Sequence, residues 1–298
     1  MTSPELIQVE PEERSFLKGN SVYCPWEQAQ FVIMQAPYEE SVSFGTGTSR
    51  GPSAIISASE HLELYDIHSE AEPFRAGIST LAPVSVKGSF EKISKRVHSI
   101  TAEILRNNKT PVLLGGEHSV SYGAVKATHE RFPDLGVLQL DAHADLRDKF
   151  QGSEWSHACI MRRVYDLGIT HAAAGVRSMS AGEAEFIRQN NLEILPLVPP
   201  ETCRKLLNKL PDKLYITLDI DVLDPSVMPA TGTPEPGGYT WNGLTSILEA
   251  VSESGKEIVA FDVVELAPAE NLHFCEYTTA RLIYGMIGMF RSFRPAGL

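Results

Sequence analysis

The chain has 298 residues, 43% of them hydrophobic, enough for one large core at the upper end of single-domain size, so a single domain over residues 1–298 is expected. Its 26 Lys and Arg against 38 Asp and Glu give a formal charge of −12, which argues against nucleic acid or an anionic membrane as partner and suits a small cationic one. No apolar run approaches the roughly 20 residues of a membrane span, the N-terminus lacks a basic-then-apolar leader, and Cys24, Cys159, Cys203 and Cys275 form no C-x-x-C pair; a cytoplasmic protein with reduced thiols is expected.

In chain order, short apolar runs alternate with amphipathic stretches. Residues 31–35 read as a strand. Residues 45–52 are a Gly-rich loop whose Pro52 opens a helix to about Leu64. Residues 89–108 put Ile93, Val97, Ile100 and Ile104 on one helical face. A strand over 111–114 and a helix over 119–132 follow, then a strand over 135–140. The remaining helices are expected at 155–167, 181–189, 201–210, 241–253 and 277–290, and the strands at 170–176, 193–198, 214–218 and 257–264. Residues 225–238, rich in Pro, Gly and Thr, read as an ordered loop beside the site. Such alternation implies βαβ units, hence a parallel sheet with helices on both faces and ligands beyond the carboxyl ends of its strands.

The candidate functional residues fall at those ends. Asp141-Ala-His143-Ala-Asp145 closes one strand and Asp219-Ile-Asp221 another. Side chains alternate along a strand with period two, so each run can aim its polar groups one way. His118, in Gly115-Gly116-Glu117-His118-Ser119, follows a third strand, and Glu265 ends a fourth. Carboxylates gathered at strand ends repel one another and are costly to desolvate, and bound cations remove both problems. Four Asp and two His without a thiolate suit two divalent ions, manganese best by donor chemistry. Two such ions acidify a shared water into a nucleophile near neutral pH. Cys159 is read as a packing residue.

The chain resembles the ureohydrolases of the arginase–agmatinase family, closer to the agmatinase branch. The runs that carry the likeness are Gly115 to Ser119, Asp141 to Arg147, Ser156 to Arg163, Asp219 to Ser226 and Pro229 to Gly238, together with Gly45 to Pro52 and Glu265. The resemblance implies a three-layer α/β/α sandwich with a mostly parallel sheet and two Mn2+ per subunit. It assigns His118, Asp141, Asp145 and Asp219 to one ion and His143, Asp141, Asp219 and Asp221 to the other, with Asp141 and Asp219 bridging. The implied reaction is hydrolysis of a guanidinium to urea and an amine, with His157 as proton shuttle, Glu265 as the guanidinium-binding carboxylate and Asp145 acting in catalysis besides ligation. A homo-oligomer, trimer or hexamer, is implied as well.

Agmatine is the expected substrate and putrescine the product. Arginases carry Ser-Gly-Asn before the catalytic His; here Ser153-Glu154-Trp155-Ser156 stands there. Glu154 is expected to repel an α-carboxylate and favour an amine tail, and Trp155 to line an alkyl chain or cover a cation. The rival readings are the same chemistry on aminopropylagmatine, guanidinobutyrate, arginine, formiminoglutamate or guanidine, amide hydrolysis on a related fold, and a non-enzymatic binding protein.

Overall fold

The computed structural model describes residues 6–291. Its strands are β1 (Phe31–Ala36), β2 (Ile78–Thr80), β3 (Thr110–Gly115), β4 (Leu135–Leu140), β5 (Thr170–Ala174), β6 (Glu193–Leu195), β7 (Lys213–Asp219) and β8 (Glu257–Val264). They form one eight-stranded sheet in the order β2-β1-β3-β8-β7-β4-β5-β6, and every pair within it is parallel. The helices are α1 (Gly51–Ala58), α2 (Phe90–Arg106), α3 (Ser121–Arg131), α4 (Ile160–Asp166), α5 (Ala181–Asn190), α6 (Pro200–Leu207), α7 (Trp241–Ser252) and α8 (Phe274–Phe290).

Period-two alternation sorts the apolar side chains into two cores. Phe31 and Ile33 of β1, Leu138 and Leu140 of β4, and Ile216 and Leu218 of β7 pack with α1, α6, α7 and α8. Val32 and Met34, Val137 and Tyr215 turn the other way, onto α2, α3 and α4. The sandwich is therefore three-layered. In α2 the predicted stripe holds: Ile93, Val97 and Ile104 are fully buried. Both faces of the central strands are covered, which is why they read as continuous hydrophobic runs.

The structure shifts several sequence-based boundaries by two or three residues, among them the end of α6, at Leu207, and the start of α8, at Phe274, and it differs further at four places. The helix opened by Pro52 ends at Ala58 and continues only as a 3-10 turn over Ser59–His61. The helix expected from Trp155 starts two residues later, as a 3-10 turn over His157–Cys159 leading into α4. The strand expected over 193–198 is only three residues long. Strand β2 was not anticipated: it is three residues long, two of them Ser79 and Thr80, too short and polar to carry a pattern.

The strand order positions the site. β3, β8, β7 and β4 lie side by side at the centre of the sheet, so the segments leaving their carboxyl ends share one rim. Gly116 lets the β3 exit pass close to the preceding loop: a Cβ there would sit 2.1 Å from the Tyr38 carbonyl oxygen.

Candidate active site

His118 leaves β3 on a 3-10 turn, Asp141 to Asp145 leave β4, Asp219 ends β7 and Asp221 sits in the turn after it. The structure brings all six together. The ligating atoms of His118, Asp141 and Asp145 lie within 4.8 Å of one another, and so do those of Asp141, His143 and Asp221. The two groups share Asp141. Asp219 reaches the first group, with its Oδ2 3.6 Å from His118 Nδ1.

The donor set fits a pair of divalent cations. His118 Nδ1 is buried without a hydrogen-bond partner, although Asp145 Oδ2 lies 3.1 Å and Asp141 Oδ2 3.2 Å away. Its other nitrogen, Nε2, is 2.7 Å from Thr217 Oγ1, and that hydroxyl donates to Asp262 Oδ1 at 2.8 Å. A hydroxyl has one proton to give, so Thr217 accepts from Nε2–H and leaves Nδ1 as the nitrogen that faces the carboxylates and can ligate once deprotonated. Tyr215 donates to Asp262 Oδ2 at 2.7 Å and completes the support. The carboxylates are anchored in turn. Asp141 accepts from Gln139 Nε2 at 2.8 Å and from the His143 amide at 2.6 Å, Asp221 from the Ala142 amide at 3.1 Å, and Asp219 from the Asp221 amide at 2.9 Å.

The electrostatics show the same unmet demand for positive charge. Burial, then the negative charge of Asp141, pushes Asp145 up to about 7. Burial and the neighbouring Asp221, Asp141 and Glu265 raise Asp219 well above the carboxylate range. Burial lowers His118 and His143, but the carboxylates beside them overcome it and raise both, His143 to about 12. Asp145 and Glu265 also adopt left-handed backbone, with φ of 51° and 66°, which costs a non-glycine residue roughly 1–3 kcal/mol and persists where the surroundings over-determine it.

Beside the cluster opens a cleft of about 190 Å³, lined among others by Glu39, Arg147, His157, Glu183 and Glu265. That is below the roughly 300–1,000 Å³ of drug-sized pockets and suits a small, slender ligand. Glu265 Oε1 accepts from the His118 amide at 2.7 Å, and the Glu265 amide donates to the Gly116 carbonyl. Burial and the charge of Glu117 raise its pKa well above the ordinary range, against the pull of His118. Burial lowers His157 to about 4. Its ring meets three hydroxyls, Ser41 Oγ at 2.9 Å and Ser156 Oγ at 3.4 Å from Nδ1, and Ser43 Oγ at 2.9 Å from Nε2.

Glu154 pairs with basic side chains in this structure. Glu154 does not line the cleft; its carboxylate lies 3.0 Å from Lys149 Nζ and 3.5 Å from the Arg163 guanidinium. Trp155 stacks on Phe90 at 5.3 Å and packs against Tyr122 at 5.1 Å, also outside the cleft lining. Cys159 is fully buried, and burial with the Asp145 charge raises its thiol to about 11, as befits a packing residue.

Sequence reasoning missed Glu39, Ser41, Ser43 and Arg147 in the cleft, and Tyr215, Thr217 and Asp262 behind His118. Asp262 did carry a signal, as the one charged residue between Ile258 and Val264. The residues at 39–43 carried none, because they lie in a loop without periodicity.

The family model for the arginase family matches residues 29–288. N(1)-aminopropylagmatine ureohydrolase of Thermus thermophilus is 37% identical over 273 residues, covering 89% of this chain and 92% of that protein. Agmatinase of Bacillus subtilis is 34% identical over 82% of this chain and 85% of its own length. Among solved structures, the agmatine ureohydrolase of Thermoplasma volcanium superposes with a TM-score of 0.83 at 27% identity, covering 90% of this chain and 92% of that one. The chain belongs to the arginase family and is a hydrolase acting on C–N amidino bonds.

Proposed function

We propose that this hydrolase releases urea from an amine-tailed guanidine, agmatine or its N1-aminopropyl derivative, leaving putrescine or the corresponding triamine. The observation that carries the choice of tail is the charge of the cleft. Among the described residues that line it, Arg147 is the only Lys or Arg, and its guanidinium lies 3.6 Å from the Glu183 carboxylate and over the Phe150 ring at 5.2 Å. Among the described lining residues no unpaired Lys or Arg stands ready for the α-carboxylate of arginine. Glu39, by contrast, stays ionised: burial raises its pKa, but the Gly47 amide at 2.6 Å and the Ser49 hydroxyl at 2.8 Å hold it below the ordinary range. A cationic tail is favoured in such a cleft. The similarity to enzymes named for aminopropylagmatine and for agmatine supports both substrates.

His118, Asp141, Asp145 and Asp219 would hold one cation and His143, Asp141, Asp219 and Asp221 the other, manganese by the hard-oxygen-plus-imidazole donor set. Bound there, the pair supplies charge neutralisation and a water acidic enough to act as nucleophile at neutral pH. Glu265 pairs with the guanidinium through charge-assisted hydrogen bonds and holds its planar carbon over the cluster. His157, neutral in its buried setting, takes up the proton set free when water is activated for attack and passes it to the departing amine. A cytoplasmic homo-oligomer, trimer or hexamer, is part of the same reading; among the described residues no helix is long and apolar enough to cross a membrane.

The test is urea release by manganese-loaded protein with agmatine, aminopropylagmatine and arginine compared at equal concentration. A kcat/KM at least tenfold higher for either amine-tailed guanidine supports the proposal. Preference for arginine, or inactivity on all three, overturns it.

A further inference from the structure

We propose that Glu117 and Ser41 are positioning residues that hold His157 in the Nδ1–H tautomer, leaving Nε2 as its basic nitrogen. Glu117 is buried one residue before His118, yet its carboxylate turns away from the metal cluster. Oε2 accepts from the backbone amides of Glu40 at 2.6 Å and Ser41 at 2.7 Å. Oε1 accepts from Ser41 Oγ at 2.9 Å and from Ser119 Oγ.

Ser41 Oγ therefore has three neighbours. It donates to Glu117 Oε1, accepts from the His157 backbone amide at 3.0 Å, and lies 2.9 Å from His157 Nδ1. A hydroxyl carries one proton and two lone pairs. The proton is taken by the carboxylate, and one lone pair by an amide that can only donate. At 2.9 Å the remaining lone pair can face Nδ1 only if Nδ1 carries a proton, and Ser156 Oγ, the other hydroxyl near this nitrogen, stands off at 3.4 Å. Nε2 is then the acceptor nitrogen, and Ser43 Oγ donates to it at 2.9 Å from the cleft lining. Carboxylate, serine and imidazole thus form a relay in which the carboxylate fixes the tautomer without touching the ring, by the logic that lets a buried carboxylate orient a catalytic histidine elsewhere.

Glu117→Gln supplies a sharp test. The two backbone amides can only donate, so the glutamine oxygen must take the Oε2 place and its NH2 the Oε1 place. Ser41 Oγ then accepts from that NH2 and from the His157 amide, and its own proton turns to Nδ1. The tautomer inverts to Nε2–H.

The ring nitrogens of His157 are to be read by 15N NMR on the full chain freed of paramagnetic ions, assigned by the signals lost in His157→Asn. Wild type is expected to show a protonated Nδ1 and a bare Nε2, Glu117→Gln the reverse, and Ser41→Ala a mixture. This readout needs no substrate, so it stands or falls separately from the hydrolase reading on which the kinetic half rests. In the kinetic half, Ser41→Ala with full metal content should lose about 10–100-fold in kcat while KM stays within about threefold, as for loss of a residue that orients a site group. A wild-type Nε2–H tautomer, or an Nδ1–H tautomer retained in Glu117→Gln, overturns the assignment. A kcat unchanged in Ser41→Ala, or lost only in proportion to metal, overturns its role in the reaction.

Discussion

Filling the cluster with divalent metal should expel about three protons per chain at pH 7, because coordination requires neutral imidazoles and ionised carboxylates. Stripped of metal, the cluster stores those protons. Burial opposes the charged form of His143, but Asp141 and Asp221, whose Oδ2 lies 2.9 Å from Nδ1, push its pKa up to about 12. His118 is held well above its usual range by Asp141 and Asp145 against the same burial. Burial and the charges of Asp221 and Asp141 raise Asp219 well above the ordinary carboxylate range, which favours its protonated form. Asp145, pushed up to about 7, is half protonated at pH 7. Asp141 contributes nothing, since both histidines hold it low despite its burial. With about three protons released, the apparent constant for filling the site should rise about a thousandfold per pH unit near neutrality. Calorimetric titration of the stripped protein with Mn2+, in two buffers of different ionisation heat, counts the protons directly. Asp141→Ala, which removes the residue common to both groups, should abolish the tight phase. Release of fewer than one proton, or a pH slope below one decade per unit, would refute the view that these residues form one charge-coupled metal cluster.

Three further outcomes are expected. His157→Ala should keep its metal and lose roughly 10²–10⁴-fold in kcat, the range of a proton-transfer residue; unchanged turnover would remove it from the reaction. Glu154→Gln should leave the ratio of kcat/KM for agmatine over arginine within about twofold and stability within about 1 kcal/mol, because its ion pairs with Lys149 and Arg163 are half exposed and outside the cleft; a tenfold change in the ratio would give Glu154 back a part in selectivity. His171, buried on β5, is lowered by burial from 6.5 to about 4. The unfolded chain therefore takes up a proton that the folded one refuses. Stability is full above pH 6.5, falls between 6.5 and 4, and is flat in this respect below, a loss approaching about 3 kcal/mol. Urea melts at pH 7 and 4.5 should show a smaller drop in His171→Leu than in wild type, and equal drops would contradict the assignment.

The candidate metal ligands were legible in the sequence because each group is local. Asp141, His143 and Asp145 follow one strand at period two, Asp219 and Asp221 follow another, and strand ends of this sheet class are where ligands sit. The alternation of strands and helices determined the parallel, three-layered class for the same reason: each element writes its own period into the chain. The order of the strands leaves no such mark. That β8 lies between β3 and β7 is settled by how the helices fill the two faces, and only this order sets Glu265 against the His118 amide. Nearness in sequence did not place Glu154 beside His157: the turn bridging Phe150 and Ser153 carries Glu154 out to Lys149 and Arg163, while the next turn brings His157 back into the cleft. Ser41 and Ser43 come over His157 because their loop is pinned by hydrogen bonds to Glu117, a long-range contact that no local pattern encodes. The sequence by itself determined which atoms can bind cations; the tertiary structure decided which hydroxyls and carboxylates surround them, because those groups meet only when distant loops are packed onto one rim of the sheet.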